Sequence, residues 1–289
     1  MKTKKPQMLG LKQNFIAVLF LILFLSLLTS PFHFSSGNIT TSSISSINPQ
    51  KKVPTLIKKV QADIANEDYC ITVPVILYHH VQPLYLSSEK QQDTLSVGVE
   101  YFDMHMNYLS SQGYVSLTAD QLVHALLNRE ELPSKSIVVT FDDGYEDNYL
   151  YAYPILKKYN IKGNFMISTG LIGRKDYMSW DQLIEMSKNS LVKLYNHTVD
   201  HVDVGNATPE AIERQITSAQ DTLAEETGSD SPIFTYPYGS SSTTTFSVLK
   251  KLGFAAAFST KPGFTQCRSF ILDLHRNHVG NLPLSSFGL

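Results

Sequence analysis

Cysteine is almost absent from the chain: Cys70 and Cys267, far apart in sequence, are its two. No disulfide framework and no CxxC metal site can be built from them. The two can pair outside the cell or stay as separate buried thiols. Spacing alone establishes no contact, and separate thiols are the preferred reading. An excess of either charge is also missing. Lys+Arg 24 against Asp+Glu 26 leaves a formal charge of -2, so there is no basic surplus for a phosphate backbone, and nucleic acid is excluded as the expected partner. No internal repeat of fixed period is present. What remains is 289 residues with 43% hydrophobic composition, enough for one domain with a sizeable core plus an extension.

The N-terminus has a distinct composition. Lys2, Lys4, Lys5 and Lys12 precede an uncharged apolar run from Phe15 to Leu28, the layout of an export signal. No small-x-small cleavage site follows, and Pro31, Phe32 and Phe34 lengthen the run toward the roughly 20 residues of a membrane span. An uncleaved anchor over residues 1–34 is therefore favoured over a cleaved signal, and the rest of the chain is expected at the extracellular face of the membrane, or secreted or in the cell wall. Residues 35–68 begin with a Ser/Thr/Asn/Gly-rich stretch too polar to bury a core, and read as a tether and lead-in.

From residue 69 to 289 the pattern is regular. Short apolar or β-branched runs at Val73–Tyr78, Ile137–Phe141, Gly163–Ser168, Leu191–Tyr195, Pro232–Tyr236 and Phe254–Phe258 alternate with helical segments. That alternation predicts an α/β fold, a parallel sheet or barrel of βα units. Thr118 with Gln121, and Ser179 with Gln182, have capping-box spacing. Thr208 before Pro209 marks another helix start, and Gly228 its end.

Three of the predicted strands end in polar, turn-forming groups. Ile137–Phe141 runs into Asp142, Asp143 and Gly144. Strand neighbours point to opposite faces, so both acids reach one site only where the chain leaves the strand, and Gly144 supplies the freedom. Taken alone, this is equally an Asp-Gly turn. His197 and His201 follow the next apolar stretch at i, i+4 spacing. Two imidazoles so placed, with a remote carboxylate, suit zinc or a similar divalent cation and leave positions open for water. Tyr236-Pro237-Tyr238-Gly239 closes a third strand. In α/β barrels this C-terminal edge of the strands is where active sites assemble. One sequon, at Asn196, falls inside the His197/His201 segment, where a glycan would block the site, so it is read as coincidental.

These segments together resemble the NodB-homology polysaccharide deacetylases (carbohydrate esterase family 4), particularly the branch acting on poly-N-acetylglucosamine. The resemblance rests on PVILYHHV at Pro74–Val81, TFDDGYEDNY at Thr140–Tyr149, YPILKKYNIKGNF at Tyr153–Phe165, SWDQL at Ser179–Leu183, NHTVDH at Asn196–His201 and YPYG at Tyr236–Gly239. It implies a distorted (β/α) barrel and a metal-dependent hydrolase that removes N-acetyl groups from GlcNAc residues of an extracellular or cell-wall polysaccharide. It also implies Asp142 as general base, Asp143, His197 and His201 as ligands of a divalent metal, zinc by preference, and the Tyr238 backbone N–H facing the oxyanion. Two departures stand out. Many members carry an arginine two residues before the proline of the third motif, where this chain has Thr235. The late Leu-x-His motif has no strict copy. In the segment Leu272–His278, His275 is the first candidate for the general acid, with His278 beside it and Arg276 able to orient a carboxylate. His80, Trp180 and Tyr238 are candidates for contacting the sugar, with His79 sharing the edge with His80. A structural, hydrogen-bonded role for one of those two histidines, and core packing for Trp180, stand beside that reading. A catalytically silent glycan-binding protein, or a deacetylase of another acyl substrate such as xylan, would share the same fold.

Overall fold

The structure, a computed structural model, describes residues 68–89 and 95–289. The expected anchor at 1–34 and nearly all of the expected tether lie outside the described residues. Among the described residues no helix is long and apolar enough to cross a membrane.

The chain runs through β1 (Cys70–Thr72), β2 (Val75–Tyr78), β3 (His80–Val81), α1 (Leu84–Glu89), β4 (Ser96–Val97), α2 (Val99–Ser111), β5 (Val115–Leu117), α3 (Ala119–Asn128) and β6 (Ser136–Asp143). It continues through α4 (Tyr153–Tyr159), β7 (Gly163–Ile167), α5 (Trp180–Ser187), β8 (Val192–Asn196), α6 (Pro209–Thr227), β9 (Ile233–Thr235), α7 (Thr243–Lys251), β10 (Ala256–Phe258), β11 (Thr265–Cys267) and β12 (Asn277–His278). The helix starts legible in the sequence are built as expected. Thr118 and Gln121 exchange side-chain-to-backbone bonds of 3.1 and 3.0 Å, and Ser179 and Gln182 do the same. The Thr208 hydroxyl caps α6, which ends at Gly228 with φ 74°.

An eight-stranded sheet in the order β10-β9-β8-β7-β6-β2-β12, with β5 also on β6, is parallel throughout. It curls until its two ends share one segment: Leu274 bridges to Phe258 of β10, while Asn277 and His278 pair with Ile76 and Leu77 of β2. The period-2 alternation of each strand divides the core accordingly. Val75, Val138, Met166, Tyr195, Ile233, Phe258 and Leu274 point inward, and α3 adds Leu122 and Leu126 to this interior cluster. Ile76, Val139, Phe141 and Phe165 point outward against Phe102 and Met106 of α2, Leu156 of α4 and Leu183 of α5. On the far side Phe234 and Ala257 meet Ile212, Ile216 and Leu249 of α6 and α7. Each large apolar side chain buried this completely contributes about 1.5–3 kcal/mol.

The two cysteines are not separate thiols. The strands β1 and β11 pair antiparallel with Cys70 opposite Cys267, and the two are joined by a disulfide. Strands three residues long and far apart in sequence carry too little pattern to reveal that register, so spacing alone pointed the wrong way.

Candidate active site

The alternation along β6 sends Val138, Thr140 and Asp142 into the barrel and Ile137, Val139 and Phe141 outward. Asp143 would continue outward. Instead it takes φ 76°, followed by Gly144 at φ 91°, and this reversal swings both carboxylates to one side of the strand end. Gly144 is required twice over: its φ lies in the left-handed region, and a Cβ there would stand 2.9 Å from Ile172 Cδ1.

Asp143 Oδ1 lies 3.3 Å from His197 Nε2 and 3.1 Å from His201 Nε2. His197 follows the last residue of β8 and is buried, and its Nδ1–H donates to the Thr235 carbonyl at 2.9 Å. A carbonyl only accepts, so in neutral His197 the proton sits on Nδ1 and the Nε2 lone pair faces Asp143. Two acceptors thus point at each other in a buried place, and Asp143 Oδ1 accepts no well-formed hydrogen bond. A cation between them resolves the conflict. The three ligand atoms lie within 4.8 Å of one another, and atoms about 2.0–2.2 Å from one ion stand roughly 3 Å apart. One carboxylate oxygen with two imidazoles is a donor set suited to zinc or another divalent ion. Burial raises the Asp143 carboxyl, but His197 and His201 outweigh it and hold the group well below the usual carboxylate range.

His201 reaches the cluster through backbone that L-residues seldom adopt, Thr198 at φ 70° and His201 itself at φ 54°. Asn196 sets this turn: its Oδ1 accepts from the Thr198 N–H at 3.0 Å and its Nδ2 donates to the Ile216 carbonyl at 2.8 Å. With its amide fully used in the core, Asn196 is no glycan acceptor.

Asp142 meets a partner that arrives from the closing segment of the barrel. Arg276, 0% exposed, forks onto it with Nη1 to Oδ1 at 2.6 Å and Nη2 to Oδ2 at 2.7 Å, and its Nε–H donates to the Ser259 carbonyl at 2.9 Å. Burial raises the Asp142 carboxyl, and the Arg276 guanidinium, with help from His197, brings it below its ordinary value. The side chain at position 235 is too short for this work, but an arginine reaches the same carboxylate from the closing segment just before β12.

His275 is not brought to this cluster. Along the closing segment Leu274 and Arg276 face inward, so His275 faces out. Its ring stacks on Phe270 at 4.7 Å, and its backbone N–H donates to Gln266 Oε1. His278, on the inward side, stacks at 5.4 Å on His79. The same alternation separates His79 from His80. His79 follows Leu77 to the inside, where it feels the charges of Asp142, Asp143, His278 and Arg276, whereas the His80 ring is 1% exposed and held by Asp147 Oδ2 at 2.5 Å. Burial pulls His79 and His278 below the ordinary histidine value. Trp180 opens α5 and packs against the outer apolar cluster rather than the carboxylates. Tyr238, with φ 59°, is 69% exposed and places its ring edge-on to His201 at 4.6 Å. Sequence reading passed over Tyr145 and Tyr177, whose stacked rings flank the turn after Asp143.

Carboxylates and imidazoles thus converge at the strand C-termini of a curled parallel sheet, and residues 129–257 match the family Polysaccharide deacetylase. Residues 129–257 thus form a polysaccharide deacetylase domain, and this match together with the relatives below supports a deacetylase hydrolase. It is 28% identical to YxkH of Bacillus subtilis, over 83% of this chain and 84% of that one. It is also 28% identical to the poly-β-1,6-N-acetyl-D-glucosamine N-deacetylase of Staphylococcus aureus, over 61% of this chain and 64% of that enzyme. Among solved structures it is similar to the Streptococcus pyogenes deacetylase PplD in complex with acetate, with TM-score 0.68, 28% identity, and coverage of 73% of this chain and 93% of that one.

Proposed function

We propose that the chain is a metal-dependent N-deacetylase of GlcNAc residues in an extracellular or cell-wall polysaccharide, held at the outer face of the membrane by its N-terminal segment. The observation that carries the reading is the joint placement of Asp142, forked by Arg276, and the Asp143/His197/His201 cluster at the C-terminal ends of β6 and β8. The similarity to the S. aureus enzyme supports an N-acetylglucosamine polymer.

Asp143, His197 and His201 would hold a divalent cation, which when bound would polarise the acetamide carbonyl and acidify a water. Asp142, kept ionised and fixed in orientation by Arg276, takes the water proton as the new C–O bond forms. The Tyr238 backbone N–H faces the developing oxyanion. Breaking the C–N bond then requires a proton on the departing sugar nitrogen. We assign its delivery to His79, which lies inside the barrel within the field of Asp142 and Asp143 and whose Nδ1 is buried with no hydrogen-bond partner among the described residues; the proton passed on is the one Asp142 took from the water. His278, stacked on it, holds the ring in place. The products are acetate and a free amino sugar.

The test is bound-metal analysis and acetate release from N-acetylglucosamine oligomers. Wild type binds about one equivalent of divalent metal and releases acetate. Retained turnover in Asp142→Asn, or retained metal and turnover in His201→Ala, overturns the roles given to them.

A further inference from the structure

A tyrosine ring brings about 150–250 Å² of mostly apolar surface that normally packs into a core. The rings of Tyr145 and Tyr177 belong to none of the apolar clusters of the described residues. They form a column instead. The His80 ring is its base, 3.7 Å from Tyr145, and Tyr145 stacks on Tyr177 at 4.9 Å with an interplanar angle of 27°. Asp147 pins the base through its bond to His80 Nδ1. The backbone fixes the top: Tyr145 and Tyr177 form an antiparallel bridge, the Glu146 N–H donates to the Asp176 carbonyl, and the Met178 N–H donates to the Gly144 carbonyl, both at 3.0 Å. The loop bearing Tyr177 is thereby laced to the turn that follows Asp142 and Asp143. Both phenols feel the Asp143 charge, and Tyr177 remains half-buried. Tyr238, against His201, is the exposed tyrosine on another side of the same cluster.

We propose that this column is a sugar-stacking platform, and that Tyr177 binds the pyranose ring next to the one whose acetamide lies over Asp142, Asp143, His197 and His201. The proposal rests on the polysaccharide reading above and adds the subsite that makes a chain a better substrate than a short fragment. A hexosamine ring has an apolar face of axial C–H groups and a rim of hydroxyls. A flat phenol ring matches the face, and its hydroxyl can meet the rim. Because Tyr145, backed by His80, and the backbone bonds to the 144–146 turn already hold Tyr177, binding a sugar costs little side-chain entropy. A substrate too short to reach Tyr177 forgoes this contact. The gain is on the order of tenfold in affinity, the low end of what a base stacked on an aromatic side chain contributes.

The experiment compares N-acetylglucosamine dimer with hexamer. The ratio of kcat/KM for hexamer over dimer falls about tenfold in Tyr177→Ala through a raised KM, and stays within twofold of wild type in Tyr177→Phe, which keeps the ring. Calorimetric binding of the hexamer to Asp142→Asn protein, with and without Tyr177→Ala, reads the subsite without turnover; there the added substitution weakens binding about tenfold. Equal losses on both lengths, an unchanged ratio, or hexamer affinity indifferent to Tyr177→Ala overturns the platform. Loss of acetate release from every oligomer in wild type, with hexamer binding still dependent on Tyr177, would instead overturn the deacetylation reading and leave the platform standing.

Discussion

Replacing Arg276 with methionine removes a fully buried guanidinium from a carboxylate that is 2% exposed and keeps most of the side-chain volume. Breaking a buried pair from one side leaves the other charge uncompensated and costs about 3–5 kcal/mol. For a domain of this size that lowers Tm by roughly 10 °C. The sign with pH follows from Asp142. Its carboxyl is depressed in the folded protein, so in wild type it contributes stability that is present above its unfolded value and lost as pH falls through the folded value. In Arg276→Met the burial effect is no longer opposed by the guanidinium, the carboxyl rises, and the stability deficit narrows as acid protonates it. Adding Asp142→Asn removes the stranded charge, so Arg276→Met/Asp142→Asn recovers most of the lost Tm while staying inactive. The assay is thermal unfolding of the four proteins at neutral and mildly acidic pH, with acetate release alongside. A single Arg276→Met variant with wild-type Tm and wild-type turnover would refute the reasoning, and so would a double variant whose losses simply add.

The remaining tests are independent. His79→Ala lowers kcat by about two orders of magnitude, on the scale of a lost general acid, whereas His275→Ala, whose ring faces Phe270, changes kcat less than threefold. Steady-state kinetics on one N-acetylglucosamine oligomer separates the two. Cys70→Ser/Cys267→Ser lowers stability by about 2–4 kcal/mol, read by denaturant unfolding with and without reductant. Reductant then shifts wild type and leaves the double serine variant unmoved. Asn196→Ala releases the Thr198 turn and costs roughly 1–3 kcal/mol for the hydrogen bonds it strands. It also weakens metal retention in competition with a chelator, although Asn196 is no ligand.

Much of the site was legible because it is local. Asp142 and Asp143 follow one strand, His197 and His201 one turn, and their residue types announce the chemistry before any contact is known. The βα alternation and the helix caps are local too, and Thr118, Ser179, Thr208 and Gly228 all do what their spacing implied. What escaped is what depends on which face a residue takes after the chain leaves regular structure. His79 and His80 differ by one position, and only the strand's phase against the barrel decides that the first looks inward and the second packs on Tyr145. The same phase removes His275 and admits Arg276. The disulfide and the Tyr145–Tyr177 column join short segments with no periodic signal, so nothing in composition or spacing could pair them.

The segment from Leu274 to His278 closes the sheet between β10 and β2 and also carries Arg276 to Asp142. Closure of the sheet and neutralisation of Asp142 therefore depend on the same five residues. As the polypeptide is synthesised, both carboxylates and both imidazoles of the cluster emerge before the guanidinium that steadies Asp142. Without that segment the barrel is open along one seam and Asp142 lacks the guanidinium that orients it. The piece that finishes the architecture is also the piece that finishes the chemistry.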